Sequence, residues 1–234
     1  MKIDKININE IFNNPKNYRC IIYGSTDTGK SYYLANMIYP EIKDLFHKIF
    51  VFSKTSNKGF YEKHYGKNIL FFTNKSEFKN LITKIRIKQT DKNNIKGVDE
   101  EGNPIYKKRL LFIFDDVISE KLVKSEEFGD LFTNGRHDAI TTFFLIQTCS
   151  VVVSTLMKNN VEISVICRFL NRNMKNRITM DLIDPIDYYY TNKGKNISEK
   201  ELRIKTNKIY NKIVLNQEYG KIILCHKKCV IYYD

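Results

Sequence analysis

The sequence predicts an α/β protein, a three-layer α/β/α core on a mostly parallel sheet with a C-terminal antiparallel hairpin extension. Three observations carry that expectation. Short, continuously apolar runs such as residues 110–114 and 140–146 read as strands buried on both faces, the mark of a parallel sheet. Amphipathic stretches between those runs supply crossover helices. Near the C-terminus the alternation gives way to β-branched runs flanking Glu218, Tyr219 and Gly220, a hairpin pattern.

Residues 18–23 form the first expected strand, followed by a glycine-bounded turn and a helix from Lys30 to about Tyr39, stopped near Pro40. Strands are expected at 48–52 and 68–72. A helix at 76–88 follows, because Phe78, Leu81, Ile82 and Ile85 recur at three- and four-residue spacing. Residues 90–108 are polar and carry Gly97, Gly102 and Pro104, so a surface loop or small inserted hairpin is expected. Buried strands come next at 110–114, 140–146 and 161–166. In the tail, 212–216 and 221–225 read as a hairpin pair, with a last strand at 230–233. The 234 residues suit one domain, with a core over about 18–170 and a helical and β-hairpin extension over 171–234.

Composition narrows the class. Hydrophobic residues make up 42% and aromatics 13%, too much for a disordered chain. No apolar run reaches the ~18–20 residues that span a bilayer, and the N-terminus lacks a signal-peptide core, so an intracellular protein with no membrane-spanning segment is expected. Cys20, Cys149 and Cys167 lie in or beside apolar runs and read as small hydrophobes. Cys225, His226 and Cys229 offer three zinc-type donors, but no second pair at suitable spacing completes a site, and buried strand cysteines are the better reading. The net charge of +13 fits a polyanionic partner such as nucleic acid, and equally a Lys- and Asn-rich composition inherited from an AT-rich gene.

Function enters with Gly24-Ser25-Thr26-Asp27-Thr28-Gly29-Lys30-Ser31, which matches the phosphate-binding loop G-x-x-x-x-G-K-[ST] between a strand and a helix. Its backbone N–H groups can wrap a β-phosphate, and the helix N-terminus adds a positive dipole. Lys30 would reach the β- and γ-phosphates of ATP, the Ser31 hydroxyl would ligate Mg²⁺, and Tyr32 closes the stretch expected to contact nucleotide. The bland alternative is a structural glycine turn. Asp115 and Asp116 end the apolar run 110–114, where a P-loop nucleoside triphosphatase keeps its acidic pair. Asp115 is assigned to magnesium and Asp116 to the base that activates the attacking water, against two acids that merely cap a helix. Gln147, at the end of run 140–146, is a candidate sensor of the γ-phosphate or the lytic water, or a solvated strand end.

From Gly24 to about Asn171 the sequence resembles the DNA-packaging ATPases of eukaryotic DNA viruses, the poxvirus type, within the FtsK/HerA superfamily of P-loop motors. The resemblance rests on the phosphate loop, the Asp115–Asp116 pair, and Asn134-Gly135-Arg136-His137 ahead of an apolar strand ending in Gln147. It implies a RecA/ASCE-like fold and ATP-driven movement of double-stranded DNA into a preformed capsid. Lys30, Ser31, Asp115, Asp116 and Gln147 would take the roles above. Arg136 would be an arginine finger entering a neighbouring subunit's site, with Arg168 as the rival. A finger in trans implies a homo-oligomeric ring, a pentamer or hexamer, docked on capsid or vertex proteins. The location implied is the host cytoplasm, at viral factories, with virion association as a further expectation.

The charge distribution suits DNA contact through phosphates. Of 39 basic and 26 acidic residues, 15 and 8 fall in 151–234, with Lys158, Arg168, Arg172, Lys175 and Arg177 close together. Tyr188, Tyr189 and Tyr190 read as packing residues rather than base-stacking ones. Two rival functions stay open on sequence. A nucleoside or nucleotide kinase shares the loop and the size, although no Arg-rich lid is evident. A GTPase would want Asn-Lys-x-Asp, from which Asn74-Lys75-Ser76-Glu77 departs at its last position. A non-hydrolysing DNA-tethering scaffold is the second rival.

Overall fold

The computed structural model describes residues 4–5, 11, 17–54, 57–67, 69–117, 119–135, 137–147, 157, 160–181, 187, 191, 194, 196–215, 222–225 and 230–233. Its strands are β1 (Asp4–Lys5), β2 (Arg19–Tyr23), β3 (Lys48–Ser53), β4 (Ile69–Phe72), β5 (Ile95–Val98), β6 (Pro104–Tyr106), β7 (Leu110–Asp115), β8 (Ile140–Ile146), β9 (Ile163–Ile166), β10 (Ile222–Cys225) and β11 (Val230–Tyr233). Six of them, in the order β9-β2-β8-β7-β3-β4, pair in parallel throughout. β10 joins β9 antiparallel, β11 joins β10 antiparallel, and β1 pairs parallel with β11, extending that sheet to nine strands among the described residues. β8 stands between the phosphate-loop strand β2 and the acid-bearing strand β7, as a RecA/ASCE-like core requires.

Continuous apolarity makes both faces of this sheet a core, and successive side chains divide between them. Ile21, Phe52, Phe112, Phe114 and Phe144 face one layer of helices; Cys20, Ile22, Val51, Ile113, Phe143 and Leu145 face the other. The first layer is aromatic: Phe114 stacks between Phe52 (centroids 4.7 Å apart) and Phe144 (5.1 Å). It is covered by α4 (Phe78–Gln89) and α6 (Glu126–Asn134), and also by the extension helix α8 (Glu199–Tyr210). The second layer is covered by the helical run after the phosphate loop and by α3 (Lys58–Tyr65).

That helical run does not stop at Pro40. It passes from α1 (Lys30–Tyr33) through a π-helical turn (Leu34–Ile38) into α2 (Tyr39–Ile42) and a 3₁₀ turn (Lys43–Leu45). The wide turn resets the hydrogen-bond ladder, so Pro40 falls in the first turn of α2, where a missing N–H costs nothing. Residues 95–98 and 104–106 form the expected small antiparallel hairpin, β5–β6.

In the tail, the antiparallel finish is present but its strands differ from the expected pair. Residues 211–215 are not a strand; they close α8 as a π-helical turn (Asn211–Leu215). Ser198 caps α8 by accepting from Glu201 N at 3.3 Å, and Leu202, Thr206, Ile209, Tyr210, Ile213 and Val214 then fall on one buried stripe. Helical spacing overrides the β-branched composition of the last turn. The antiparallel partners are β10 and β11, and the hairpin tip at 218–220 lies outside the described residues, as do His226 and Cys229. The remaining short helices are α5 (Glu120–Val123) and α7 (Arg172–Asp181).

Candidate nucleotide and magnesium site

Strand register brings the site together. Tyr23 pairs with Ile146 and Ile166, and Asp115 with Leu145, so Gly24, Asp116, Gln147 and Cys167 all lie just past the carboxyl ends of neighbouring strands. In open parallel sheets that edge is where ligands bind. Gly24 N donates to Ile146 O (3.1 Å) and Asp116 N to Leu145 O (3.3 Å), continuing the sheet by one step.

The phosphate loop is built on backbone conformations that few residues adopt. Asp27 at the exposed tip has φ 57°, and Gly29 has φ 80° as the cap of α1. Gly24 is required for a different reason: a Cβ there would lie 2.6 Å from Thr28 Oγ1 and 2.8 Å from Cys167 Cβ. Thr28 Oγ1 donates to Ser25 O (2.8 Å), which holds the loop closed. Lys30 is buried, and its Nζ folds over the loop to donate to Gly24 O (3.0 Å) and Ser25 O (2.9 Å). Tyr32 points outward, 59% exposed.

Facing the loop is the acidic pair. Ser31 Oγ donates to Asp115 Oδ2 at 3.1 Å, and the Tyr61 hydroxyl from α3 donates to the same oxygen. Burial lifts the Asp115 carboxyl above its ordinary pKa, and the bond from Tyr61 opposes that rise. Tyr61 is itself pushed far up, by burial and then by the Asp115 charge, so its phenol keeps the proton it donates. Asp116 adopts φ 55°, a left-handed conformation that Asp tolerates better than most residues. Gln147 Nε2 donates to Asp116 Oδ2, while Thr26 Oγ1 donates to Gln147 Oε1 at 3.0 Å. Gln147 thus bridges the second acid to the phosphate loop.

A third wall comes from the segment after β9. Ser25 N donates to Arg168 O (3.1 Å), and Leu170 N donates to Ser25 Oγ (3.0 Å). Between them, Phe169 N donates to the hydroxyl of fully buried Tyr210 on α8 (2.9 Å). The exposed Arg168 therefore belongs to the rim of its own chain's loop.

Gly24 to Ser31, Asp115, Asp116 and Gln147 are gathered in one crevice. Arg136, Cys149, Lys158 and Tyr188 to Tyr190 lie outside the described residues. Tyr61 and the 168–170 wall were not legible from sequence; the one local signal for α3 was Asn57 as a cap, accepting from Phe60 N at 3.3 Å, with Gly66 ending the helix. The Asn74–Glu77 stretch proves to be a cap, with Ser76 N donating to Asn74 Oδ1 (3.2 Å) and Asn74 Nδ2 to Glu77 Oε1 (2.7 Å). Cys20 and Cys167 are buried in the second layer of the core. No described helix is long and apolar enough to cross a membrane.

Magnesium fits the donor set. Ser31 Oγ and the Asp115 carboxylate are hard oxygens side by side at the mouth of the phosphate loop. Mg²⁺ at a nucleotide takes one or two protein oxygens and completes its shell with phosphate and water. Among the described residues no cluster of three or more His, Cys, Asp or Glu forms a dedicated cage.

Comparison with solved structures places this fold beside a viral genome packaging NTPase and a conjugation coupling protein, each in complex with a nucleotide analogue. The genome packaging NTPase B204 of Sulfolobus turreted icosahedral virus 2, in complex with AMPPCP, superposes with a TM-score of 0.62 at 12% identity, over 94% of this chain and 97% of that one. Its ATPγS complex gives 0.58 at 14% identity over the same shares. The pCW3 conjugation coupling protein TcpA, with ATPγS, gives 0.56 at 16% identity, over 94% of this chain and 60% of that one. At such identities the likeness is one of fold: a P-loop NTPase core. No curated protein sequence matches the chain significantly. The poxvirus A32 protein family matches residues 6–185, which span every residue of the crevice, and the chain belongs to that family.

Proposed function

We propose that the protein is an ATP-hydrolysing motor that moves double-stranded viral DNA into a preformed capsid. The observation that carries the reading is the unbroken chain of contacts from phosphate loop to acids to strand-end amide: Ser31 to Asp115, Asp116 to Gln147, Gln147 to Thr26. A loop that only tethered nucleotide would need neither the second acid nor its bridge. Lys30 releases its loop carbonyls to hold the β- and γ-phosphates of ATP, and Ser31 and Asp115 would hold Mg²⁺. Bound there, the ion would supply charge neutralisation at the phosphates and alignment of the γ-phosphoryl group. Asp116 accepts the proton of the attacking water, and Gln147 orients that water and relays its position to Thr26.

Strand geometry supports completion of the site in trans. Gly135 and His137, which flank Arg136, lie at the amino end of β8, where Ile140 N donates to Gly135 O (3.0 Å). Seven residues of β8 separate that end from Gln147, a span of about 20 Å. That separation between the amino end of β8 and the site favours a ring of five or six subunits in which a neighbour supplies the finger. Arg168 remains the rival finger, and its carbonyl accepts from Ser25 N of its own chain's loop. Exposed Arg172 and Arg177 on α7, with Arg168, offer a sequence-independent contact for DNA phosphates. Capsid vertex proteins are the expected docking partners, and viral factories in the host cytoplasm the expected location.

The test is the rate of phosphate release with and without duplex DNA, alongside mass determination with a nonhydrolysable ATP analogue. DNA stimulation and a ring-sized mass are expected, with hydrolysis lost in Lys30→Ala. Mixing Arg136→Ala subunits into wild type should depress activity more steeply than their fraction. Stimulation by a nucleoside monophosphate instead of DNA would establish the kinase alternative.

A further inference from the structure

Asp115 Oδ2 receives two hydroxyl donors, and only Ser31 belongs to a recognised motif. The other, Tyr61, lies 54 residues away in sequence, on α3, which packs in the same layer as the helical run after the phosphate loop. The geometry points to Tyr61 as a positioning residue that fixes the Asp115 carboxylate for magnesium. This rests on the proposed reading of Ser31 and Asp115 as the magnesium contacts.

The argument is one of rotational freedom. The terminal torsion of an aspartate is broad and roughly two-fold, so one hydrogen bond leaves the carboxylate free to swing. Ser31 alone is a weak restraint, because a serine that ligates a cation must turn a lone pair toward it while its proton stays on Asp115. Tyr61 supplies the second restraint from a rigid support. It is 2% exposed, and its ring is held by Phe60 (centroids 5.3 Å apart), Phe71 (5.5 Å) and Tyr65 (5.8 Å). A phenol so packed cannot follow a swinging carboxylate; the carboxylate must settle where the phenol is. With both donors on Oδ2, Oδ1 accepts no hydrogen bond among the described residues and is the oxygen left to face the cation or its water. Tyr61 acts on the cation through Asp115, to which its hydroxyl donates, as groups behind a metal ligand do elsewhere.

The test is Tyr61→Phe, which keeps the ring and its packing and removes only the hydroxyl. Binding of a fluorescent ATP analogue is measured in EDTA and across a Mg²⁺ titration, with Phe71→Leu as a packing control that leaves the bond intact. In Tyr61→Phe the affinity in EDTA stays at the wild-type value, while the Mg²⁺ needed for half-maximal enhancement rises ~10–100-fold, the range for losing a partner behind a metal ligand. Phe71→Leu keeps the wild-type Mg²⁺ requirement. Equal Mg²⁺ dependence in Tyr61→Phe and wild type overturns the inference, and so does an affinity that falls equally with and without Mg²⁺, which marks a purely structural role. If wild type itself shows no Mg²⁺ enhancement, the magnesium reading of Ser31 and Asp115 fails, and the inference about Tyr61 fails with it.

Discussion

Replacing Gly24 by alanine tests how tightly the phosphate loop is built against the segment after β9. The added Cβ would meet Thr28 Oγ1 at 2.6 Å and Cys167 Cβ at 2.8 Å, where an ordinary contact needs about 3.5–4.0 Å. Neither neighbour yields cheaply. Thr28 could rotate only by giving up its bond to Ser25 O, and Cys167 is fully buried, its N–H donating to Tyr23 O at 2.8 Å. Overpacking of this kind costs ~1–3 kcal/mol. In a chain of this size each kcal/mol lowers Tm by roughly 2–4 °C. Where the loop shifts instead, the same energy weakens nucleotide binding by about 5–150-fold. Thermal melting and titration with a fluorescent ATP analogue read the two outcomes together. Gly29→Ala is the contrast: its Cβ has open space, and its cost of ~1–2 kcal/mol comes from φ 80° alone. A Gly24→Ala protein that melts and binds like wild type would refute the crowding.

Three further changes probe different layers. Asp116→Asn should abolish turnover while leaving nucleotide binding and Tm near wild type, because Asn also accepts the left-handed backbone at that position; steady-state hydrolysis beside equilibrium binding decides it. Glu162→Ala should cost ~3–5 kcal/mol, seen in denaturant melts, since it strips the guanidinium of Arg19, 3% exposed, of its carboxylate and leaves it the Phe132 carbonyl and Asn160. Asp115→Asn should raise the Tm of the nucleotide-free protein at neutral pH. Burial holds the native carboxyl above its unfolded pKa, so the native state binds the extra proton and wild-type stability falls as pH rises through the native value. The advantage of Asn should therefore shrink as pH drops below that window, and a pH-independent difference would contradict the burial argument.

The crevice was legible in sequence because its residues are tied to strand ends. Gly24–Ser31, Asp115–Asp116 and Gln147 each follow an apolar run, and parallel register does the rest. Tyr61 was not, because nothing local distinguishes a tyrosine that will meet a carboxylate 54 residues on. The tail misled for a physical reason. Ile213 and Val214 have strand composition, yet they continue the buried stripe that Ser198 starts, and packing outweighs propensity. Pro40 misled similarly, since a π-helical turn is invisible to a rule that ends helices at proline.

The wall formed by residues 168–170 has a mechanical meaning. Ser25, the Arg168–Leu170 strap and Tyr210 are linked by hydrogen bonds of 2.9–3.1 Å, like springs in series. Gly24 has no slack beside them, so a shift of the loop cannot be absorbed where it arises. It is passed through the Phe169 amide to the last turn of α8. Lys208, on the exposed face of that helix, is therefore a place where an attached fluorophore would register occupancy of the phosphate loop without touching it.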